Sequence, residues 1–201
     1  PLASARTTLE VAVAHPGYRD DLLAVINDAL RDHDRLDALV EDLLTLARLD
    51  DPAAITHADE IDLTAVVRSE LAGRADPTTS AVLQPVAVPV LGDRGQLNRM
   101  LTNLLDNAAT HRRTRTDVTV RSDGSSAVVL VDDDGPGIPA EDRTRVFDRF
   151  VRLDAARSAD RGTGLGLAIV RDIVRAHHGT VTIEASPNGG ARVEVRLPLR
   201  R

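Results

Sequence analysis

The sequence contains no cysteine, no tryptophan and no lysine among its 201 residues. Without cysteine, the chain cannot form a disulfide, a thiolate metal site or a cysteine nucleophile. Aromatic side chains make up only 1% of the residues, so the core must be aliphatic and a stacking platform for single-stranded nucleic acid is not expected. Because lysine is absent, any basic side chain that contacts a phosphate group has to be an arginine.

Long apolar runs are also missing. None approaches the roughly 20 residues that a membrane-spanning helix needs, and no signal peptide opens the chain. A net charge of −6 argues against nucleic acid or an acidic membrane as the main partner. Hydrophobic residues at 42% and charged residues at 28% are ordinary for a globular protein. We therefore expect the chain to be soluble and to bury a hydrophobic core.

The first fifty residues are predicted to be helical. A short apolar stretch over residues 9–13 ends at a His-Pro-Gly break over residues 15–17. After it, a seam repeats in steps of four and three, as in coiled coils and helical bundles, through Leu22, Ile26, Ala29, His33, Leu36, Val40, Leu43 and Ala47. The seam is widened by Val25, Leu39 and Leu46, which favours a bundle. Two such helices make half of a four-helix bundle, which a homodimer would complete. We expect His33 to be packed or partly solvated rather than catalytic.

Residues 51–60 are predicted to be a linker, and an α+β domain of about 140 residues follows over residues 61–201. Its predicted elements are, in order, a helix capped by Asp62 and carrying Leu63, Val66, Val67 and Leu71; an edge strand over 83–91; a helix over 96–111 with Leu97, Met100, Leu101, Leu104 and Leu105 on one face; a hairpin of 118–121 and 127–131 around Asp123-Gly124; a helix over 165–178 ended by Gly179; and a hairpin of 180–185 and 191–197.

Two amides share one face of the predicted helix over residues 96–111. Asn103 and Asn107 are four residues apart, and Met100 lies on the same face. Two surface asparagines are normally just solvated, but these lie beside apolar surface and need partners. An amide oxygen is a neutral hard ligand that suits Mg²⁺, which prefers a few protein oxygens together with phosphates and waters.

Three consecutive carboxylates, Asp132, Asp133 and Asp134, end a predicted strand and run into Gly135-Pro136-Gly137. Such a cluster is usually a solvated turn. The period-2 register of the strand, however, places Asp133 on the face of the inward-pointing valines. A buried carboxylate needs a donor. The exocyclic amine of adenine is one, and glycines let a flat base approach the backbone.

A glycine-rich run, Gly162-Thr163-Gly164-Leu165-Gly166-Leu167, stands at the start of a predicted helix. Glycines there expose N–H groups, and a helix N-terminus favours anions, so the run predicts a phosphate cradle. A dinucleotide-binding turn is the rival interpretation, and Glu184 has the spacing it requires. That turn must follow a strand, whereas residues 153–161 are predicted to be a charged loop. The dinucleotide-binding interpretation is therefore rejected.

In this order and spacing, the three segments resemble the N, G1 and G2 boxes of the ATP-binding domain of sensor histidine kinases, in the gyrase/Hsp90/histidine-kinase/MutL superfamily. The segment Phe147-Asp148-Arg149-Phe150 is similar to the F box, and Gly92 through Ala108 to the family phrase that contains the N box. Residues 34–50 resemble the second helix of the family's dimerisation domain. The resemblance implies a two-layer α/β sandwich ATP-binding domain over 61–201, preceded over 1–50 by a truncated helical hairpin for dimerisation.

The resemblance also implies a function. The domain would bind Mg·ATP and transfer the γ-phosphoryl group to a histidine, for relay to an aspartate of a response-regulator receiver domain. Asn107 would hold Mg²⁺, Asn103 would orient water or a phosphate beside it, and Asp133 would read adenine. The other implied nucleotide contacts are Gly135, Gly137, Ile138, Phe150, Gly162, Thr163, Gly164, Leu165, Gly166 and Leu167. Residues 139–161 would form a lid with Phe147 and Phe150 as apolar anchors.

Two positions depart from the family pattern. The family's acceptor phrase reads His-Glu-Leu-Arg-Thr-Pro-Leu and this chain opens with Pro1-Leu2, so we expect the acceptor to lie upstream and assign it to none of the six histidines. Thr110 stands where many members carry a basic residue, and Arg112 or Arg113 could substitute.

The family further implies a cytoplasmic domain of a membrane-anchored bacterial sensor. Such a protein is a homodimer at full length and meets a membrane only through segments outside this chain. Two alternatives stay open: a serine kinase or ATPase of the same superfamily, and an ATP-binding interaction module without phosphoryl transfer.

Overall fold

The computed structural model describes residues 19–49, 58–74, 76–153 and 163–200. Contacts group the chain into two compact units, one ending at Thr45 and the other comprising Leu46–Arg201. The predicted first helix, the break over residues 15–17 and most of the predicted linker lie outside the described residues. The domain boundaries at residues 50 and 60 therefore remain predictions.

Helix α1, Arg19–Leu49, is continuous over 31 residues, as the seam predicts. Several of its large apolar side chains are exposed: Ile26, Leu30, Val40, Leu43 and Leu44. His33, the polar position of the seam, is also exposed, and its Nε2 lies 3.5 Å from Asp37 Oδ2 one turn later. In the described part of the chain, no helix combines the length and the apolar character needed to cross a membrane.

The second unit is a mixed α/β fold. Its elements are β1 (Asp59–Asp62), α2 (Leu63–Arg74), β2 (Thr79–Leu83), β3 (Pro89–Gly92), α3 (Arg94–His111), β4 (Thr116–Asp123), β5 (Ser126–Asp133), two short 3₁₀ turns (Ala140–Asp142 and Arg145–Phe147), α4 (Gly166–Ala176), β6 (Thr180–Ala185) and β7 (Ala191–Pro198). Five strands form one sheet in the order β2-β4-β5-β7-β6, with β2 and β4 parallel and the other pairs antiparallel. Strands β1 and β3 form a separate antiparallel pair.

The apolar face of α3 enters the core, as predicted. Its buried side chains are Leu97, Met100, Leu101, Leu104, Leu105 and Ala108. Asp93 starts the helix, because its Oδ1 accepts a hydrogen bond from the Gln96 N–H at 2.9 Å. The helix therefore begins at Arg94, two residues before the predicted start. Its apolar face and that of α4 share one core with the inward-facing residues of the sheet.

Both faces of the central strand β5 are buried. Val129 and Val131 face the helices and join the core. Val128 lies on the opposite face, where its register neighbours are Arg121 on β4 and Arg196 on β7. The hydrocarbon stems of arginines can cover apolar surface while their charged ends remain in water. The sheet therefore has an apolar inner face and a charged outer one.

The predicted edge strand over 83–91 is wrong in detail. It is split, because β2 ends at Leu83 and β3 begins at Pro89. Pro85 lies in the gap between the two strands, and the Val88 N–H donates to Asp62 Oδ1 at 3.1 Å. Asp62 also accepts from the Thr64 N–H at 3.0 Å, as expected of the residue that caps α2.

Helix α4 also ends earlier than predicted, at Ala176, and the left-handed residue after it is His178 (φ 56°) rather than Gly179. Gly179 serves close packing instead, because a Cβ there would stand 2.4 Å from the Arg196 carbonyl oxygen. Both predicted hairpins are confirmed, as β4–β5 and β6–β7.

Candidate functional site

The three consecutive carboxylates after β5 have three different surroundings. Asp132 faces the outer side of the sheet, where both of its oxygens pair with Arg192, Nε to Oδ1 at 2.8 Å and Nη2 to Oδ2 at 2.9 Å. It also accepts from the Ser186 hydroxyl at 2.9 Å. A bidentate pair of this kind joins β5 to β7 and keeps the buried charge compensated.

Asp133 faces the helix side and is only 4% exposed. Its Oδ1 accepts hydrogen bonds from the backbone N–H groups of Gly135 at 2.8 Å and Ala191 at 3.2 Å. Both bonds use the same oxygen, so neither engages Oδ2. The predicted position of Asp133 at the edge of the interior is therefore where the structure places it.

Asp134 fastens the loop that follows α3. It accepts hydrogen bonds from the backbone N–H groups of Arg113 at 2.8 Å, Thr114 at 3.0 Å and Arg115 at 3.2 Å. The Thr114 hydroxyl also donates to it, and these bonds hold the pKa of the Asp134 carboxyl far below its usual range. The loop between α3 and β4 is thereby tied to the turn after β5.

Glycines crowd the backbone around Asp133. A Cβ on Gly135 would stand 2.4 Å from the His111 carbonyl oxygen at the end of α3. A Cβ on Gly190 would stand 2.2 Å from Asp133 Oδ1, and Gly137 is in the left-handed region (φ 75°) with its Cβ position 3.2 Å from the Gly190 carbonyl oxygen. The site thus joins α3, the turn after β5 and the β6–β7 hairpin. In the sequence, Gly190 stands out only as part of the Gly189-Gly190 pair in the turn of the predicted hairpin. Nothing local indicates that it approaches Asp133.

The N-terminus of α4 lies against α3. The helix begins at Gly166, and a Cβ there would stand 3.1 Å from Asn103 Oδ1. Asn103 Nδ2 donates to the Arg99 carbonyl oxygen at 3.0 Å, which fixes the amide. Asn107, one turn later on the same helix, is half-buried. Two of the three predicted segments therefore meet directly at Asn103 and Gly166.

The residues before α4 form a close crossing with the segment after the second 3₁₀ turn. Gly164 has a φ of 73°, and its carbonyl oxygen accepts from the Phe150 N–H at 3.0 Å. Thr163 Oγ1 accepts from the N–H of the fully buried Leu165 at 3.2 Å. Ile138 and Leu167 are partly buried against the core. Gly162 and the part of the predicted lid over residues 154–161 lie outside the described residues.

This arrangement suits an anionic ligand with a flat polar end. Backbone N–H groups in the first turn of a helix have no partner within the helix and favour negative charge. Asn103 supplies an amide group beside that turn, and Asn107 lies one turn further along α3. Among the described residues, no group of three or more His, Asp or Glu side chains is placed to hold a metal ion. A divalent cation here would therefore need oxygens from the ligand as well as from the asparagines.

Arg112 and Phe150 do not have the surroundings expected of them. Arg112 is engaged in an ion pair, because its Nη1 lies 2.6 Å from Asp76 Oδ2, before β2, which leaves Arg113 as the other candidate for the family's basic residue. That ion pair holds the pKa of the Asp76 carboxyl well below its usual range. Phe147 is buried and serves as an apolar anchor, but Phe150 is 63% exposed and has a φ of 66°, so it does not.

Known proteins resemble both the sequence and the structure. A profile of the family described as Histidine kinase-, DNA gyrase B-, and HSP90-like ATPase matches residues 92–201. The probable sensor histidine kinase TcrY of Mycobacterium tuberculosis is 40% identical over 99% of this chain and 43% of its own length. The chain spans about half the length of the curated relatives that it matches.

Solved structures agree. The mycobacterial sensor histidine kinase MprB superposes with a TM-score of 0.60 at 32% identity, over 71% of this chain and 98% of that one. Full-length ShkA in complex with AMPPNP superposes with a TM-score of 0.72 at 30% identity, over 90% of this chain and 39% of that one.

Proposed function

The chain belongs to the histidine kinase-, DNA gyrase B- and HSP90-like ATPase family, and from this premise we propose that it binds Mg·ATP between Asp133 and the N-terminus of α4. It is an ATP-binding domain of the sensor histidine kinase type, as its relatives are. We further propose that it is the catalytic part of such a kinase and delivers the γ-phosphoryl group to a histidine that is none of the six in this sequence.

The observation that carries the proposal is the buried Asp133 carboxylate. Its Oδ1 is occupied by two backbone N–H groups, whereas Oδ2 takes part in neither bond. A buried carboxylate oxygen gains from a donor, and the exocyclic amine of adenine provides one. Gly135, Gly137 and Gly190 let main-chain segments pack closely around this carboxylate, because a Cβ at each would meet protein atoms within 3.2 Å. The chemistry of the carboxylate fits the exocyclic amine of an adenine ring.

The phosphate end of ATP fits the opposite part of the site. The first turn of α4 would bind phosphate oxygens through its backbone N–H groups. Asn107 would hold Mg²⁺ through its amide oxygen, and Asn103 would orient a phosphate or a water beside it. Because the sequence has no lysine and Arg112 pairs with Asp76, negative charge on the phosphates would be balanced by Mg²⁺, by main-chain dipoles and by Arg113 as the remaining candidate side chain.

Phosphoryl transfer needs mainly positioning and charge neutralisation. ATP supplies the phosphoryl group when bound, and the described residues orient and desolvate it. We propose that the whole protein dimerises through the stripe on α1, which is the set of exposed apolar side chains Ile26, Leu30, Val40, Leu43 and Leu44. We also propose that it passes the phosphoryl group to a response-regulator receiver domain and works on the cytoplasmic side of a membrane. The exposed Leu43 and Leu44 support the first of these points, because an apolar stripe on a helix needs a covering surface.

An Asp133→Asn substitution tests the adenine contact. The two side chains have nearly the same shape, but the amide loses the charge and places either an oxygen or a donor against the amine. We expect ATP affinity to fall by roughly ten- to a hundredfold in equilibrium titration. Asp134→Asn is the matched control and should retain affinity, because Asp134 fastens the loop after α3. Normal binding by Asp133→Asn and a loss in Asp134→Asn would contradict the proposal.

A second experiment tests transfer. The chain is incubated with γ-labelled ATP and a helical peptide that carries the sequence His-Glu-Leu-Arg-Thr-Pro-Leu. We expect acid-labile label on the peptide histidine and none on the chain itself. ATP binding without any transfer to the peptide would favour an interaction module, and acid-stable label on serine would favour a serine kinase.

A further inference from the structure

His177, the residue directly after α4, is a buried polar group that the proposed mechanism does not use. It is 3% exposed, and both of its ring nitrogens have partners. Nδ1 lies 2.8 Å from the Ile173 carbonyl oxygen, and Nε2 lies 3.1 Å from the backbone nitrogen of Asp93. A carbonyl can only accept and a backbone N–H can only donate, so Nδ1 carries the proton and Nε2 is the acceptor.

The ring sits at the junction between β3 and α3. A Cβ on Gly92 would stand 2.3 Å from His177 Cδ2, so only glycine admits the ring there. The next residue, Asp93, donates its N–H to the ring and caps α3 through its side chain. One histidine therefore joins the end of α4 to the residue that starts α3.

Helices α3 and α4 thus touch at two places at opposite ends of their contact. At one end, His177 meets Asp93; at the other, Gly166 lies against Asn103. Ten or eleven residues separate these places on each helix, or about 15 Å at about 1.5 Å per residue. The helices are antiparallel and the two contacts are spaced almost equally along both, so a contact that fixes one end also fixes how far α4 extends along α3 at the other.

We propose that His177 is a positioning residue for nucleotide binding, and that it sets the register of α4 against α3 so that the first turn of α4 lies beside Asn103. The inference rests on the proposed function, because it assigns the N-terminus of α4 to the phosphates. His177 touches no part of that site. It acts through the helix that joins the two ends.

The contact responds to pH. A proton on Nε2 would place a second donor against the Asp93 N–H and break the bond. Burial lowers the pKa of His177, although the Asp93 carboxylate on the α3 side opposes that effect and His178 beside it reinforces it. Because the folded pKa lies below the unfolded one, the folded state binds fewer protons, and this contribution to stability is lost as the pH falls below about 6.5.

Two amide substitutions separate positioning from simple packing. In His177→Gln the amide oxygen reaches the position of Nε2 and can still accept from Asp93, but it does not titrate. In His177→Asn the shorter side chain leaves the Asp93 N–H without its acceptor. Kd for Mg·ATP is measured for the wild type and both variants from about pH 7.5 to about pH 4.5, a range that extends below the ordinary titration of histidine because burial lowers the pKa of His177. The control is His178→Asn, because asparagine tolerates the left-handed backbone of this exposed neighbour.

At the higher pH we expect His177→Gln to bind within roughly threefold of the wild type and His177→Asn to bind roughly tenfold more weakly, while His178→Asn is unchanged. Toward the lower pH the wild type should lose affinity relative to His177→Gln, because only the wild type has a ring that can take up a proton. Ionisation of the nucleotide affects both proteins equally and cancels in the comparison. Unchanged affinity in His177→Asn, or coincident pH profiles of the wild type and His177→Gln, would overturn the inference. If His177→Asn does not fold, the profiles decide alone. A wild type that binds no ATP at any pH contradicts the proposed function instead.

Discussion

Helices α1 and α3 carry apolar residues at similar helical spacings, but among the described residues the exposure of these side chains differs between the two helices. On α3, Leu97, Met100, Leu101 and Leu104 are at most 1% exposed, because the sheet and α4 pack over them. On α1, Leu30, Val40, Leu43 and Leu44 are between 43% and 54% exposed. The same kind of pattern thus has two different outcomes in one chain.

The difference shows what an apolar stripe determines. Periodicity fixes which face of a helix avoids water, but not whether the same chain supplies the surface that covers it. For α3 the cover comes from α2, β5 and α4, the last of which lies more than fifty residues further along the chain. For α1 we propose that it comes from a second copy of the chain. A truncation at a core position of α3 should therefore lower the free energy of unfolding of this chain, whereas a truncation in the stripe on α1 should not.

The largest expected effect comes from a matched pair of leucine truncations. Leu101→Ala should lower the free energy of unfolding by about 2–5 kcal/mol, because it leaves a cavity under the sheet. Leu44→Ala, the control on α1, should change it by less than about 0.5 kcal/mol, because the side chain is 47% exposed. Urea unfolding of dilute protein provides both values. Equal losses in the two variants would mean that the stripe on α1 is covered within the chain.

A second matched pair consists of two glycine substitutions. Helix α1 contains no glycine, whereas in the ATP-binding unit several glycines let main-chain segments approach each other closely. Gly190→Ala should destabilise the fold by about 1–3 kcal/mol and weaken ATP binding, because the added Cβ would stand 2.2 Å from Asp133 Oδ1. Gly73→Ala in α2 is the control, since nothing lies within 4 Å of its Cβ position. It should stabilise the protein by roughly 0.5–1 kcal/mol. Thermal unfolding and ATP titration measure both effects, and a neutral Gly190→Ala would count against the crowded geometry around Asp133.

The partly exposed face of α3 should matter to the ligand rather than to stability. Asn107→Ala should weaken Mg·ATP by roughly tenfold but leave ADP in EDTA nearly unchanged, because we assign its oxygen to the metal. Titrations under the two conditions provide the comparison, and Asn103→Ala serves as a neighbour on the same face. Equal losses with and without magnesium would mean that Asn107 contacts another part of the nucleotide.

Much of this fold could be predicted because the deciding interactions are local. The buried face of α3, both hairpins and the inward position of Asp133 follow from helical and strand periods in adjacent residues. The split of the predicted strand over 83–91 could not be foreseen, because the Val88 N–H is drawn away by Asp62, 26 positions earlier. The same holds for the parallel pairing of β2 with β4.

The site shows the same limit. Gly190 approaches Asp133 only because β5 and β7 are neighbours in the sheet, so the sequence marks it as a turn residue and nothing more. Arg112 could be considered a phosphate ligand until its partner Asp76, 36 positions away, is known. His178, and not Gly179, has the left-handed backbone at the end of α4. Gly179 is required instead for close packing against Arg196. Long-range partners, rather than local propensity, decide these positions.

The smallest expected effect tests how the ATP-binding unit holds its loops with charged hydrogen bonds. The Thr114 hydroxyl and three consecutive backbone N–H groups donate to Asp134, and these bonds keep its folded pKa below the unfolded value of about 3.9. A depressed carboxyl pKa contributes stability above the unfolded value, and that contribution is lost as the pH falls below it. Asp134→Asn should therefore lower the thermal midpoint slightly near pH 7 but have less effect near about pH 3, where the wild type has lost part of the same contribution. Asp59→Asn, at the exposed start of β1, is the control and should change little at either pH. A deficit in Asp134→Asn that stays the same at both values would show that the loop is held by shape rather than by the charge on Asp134.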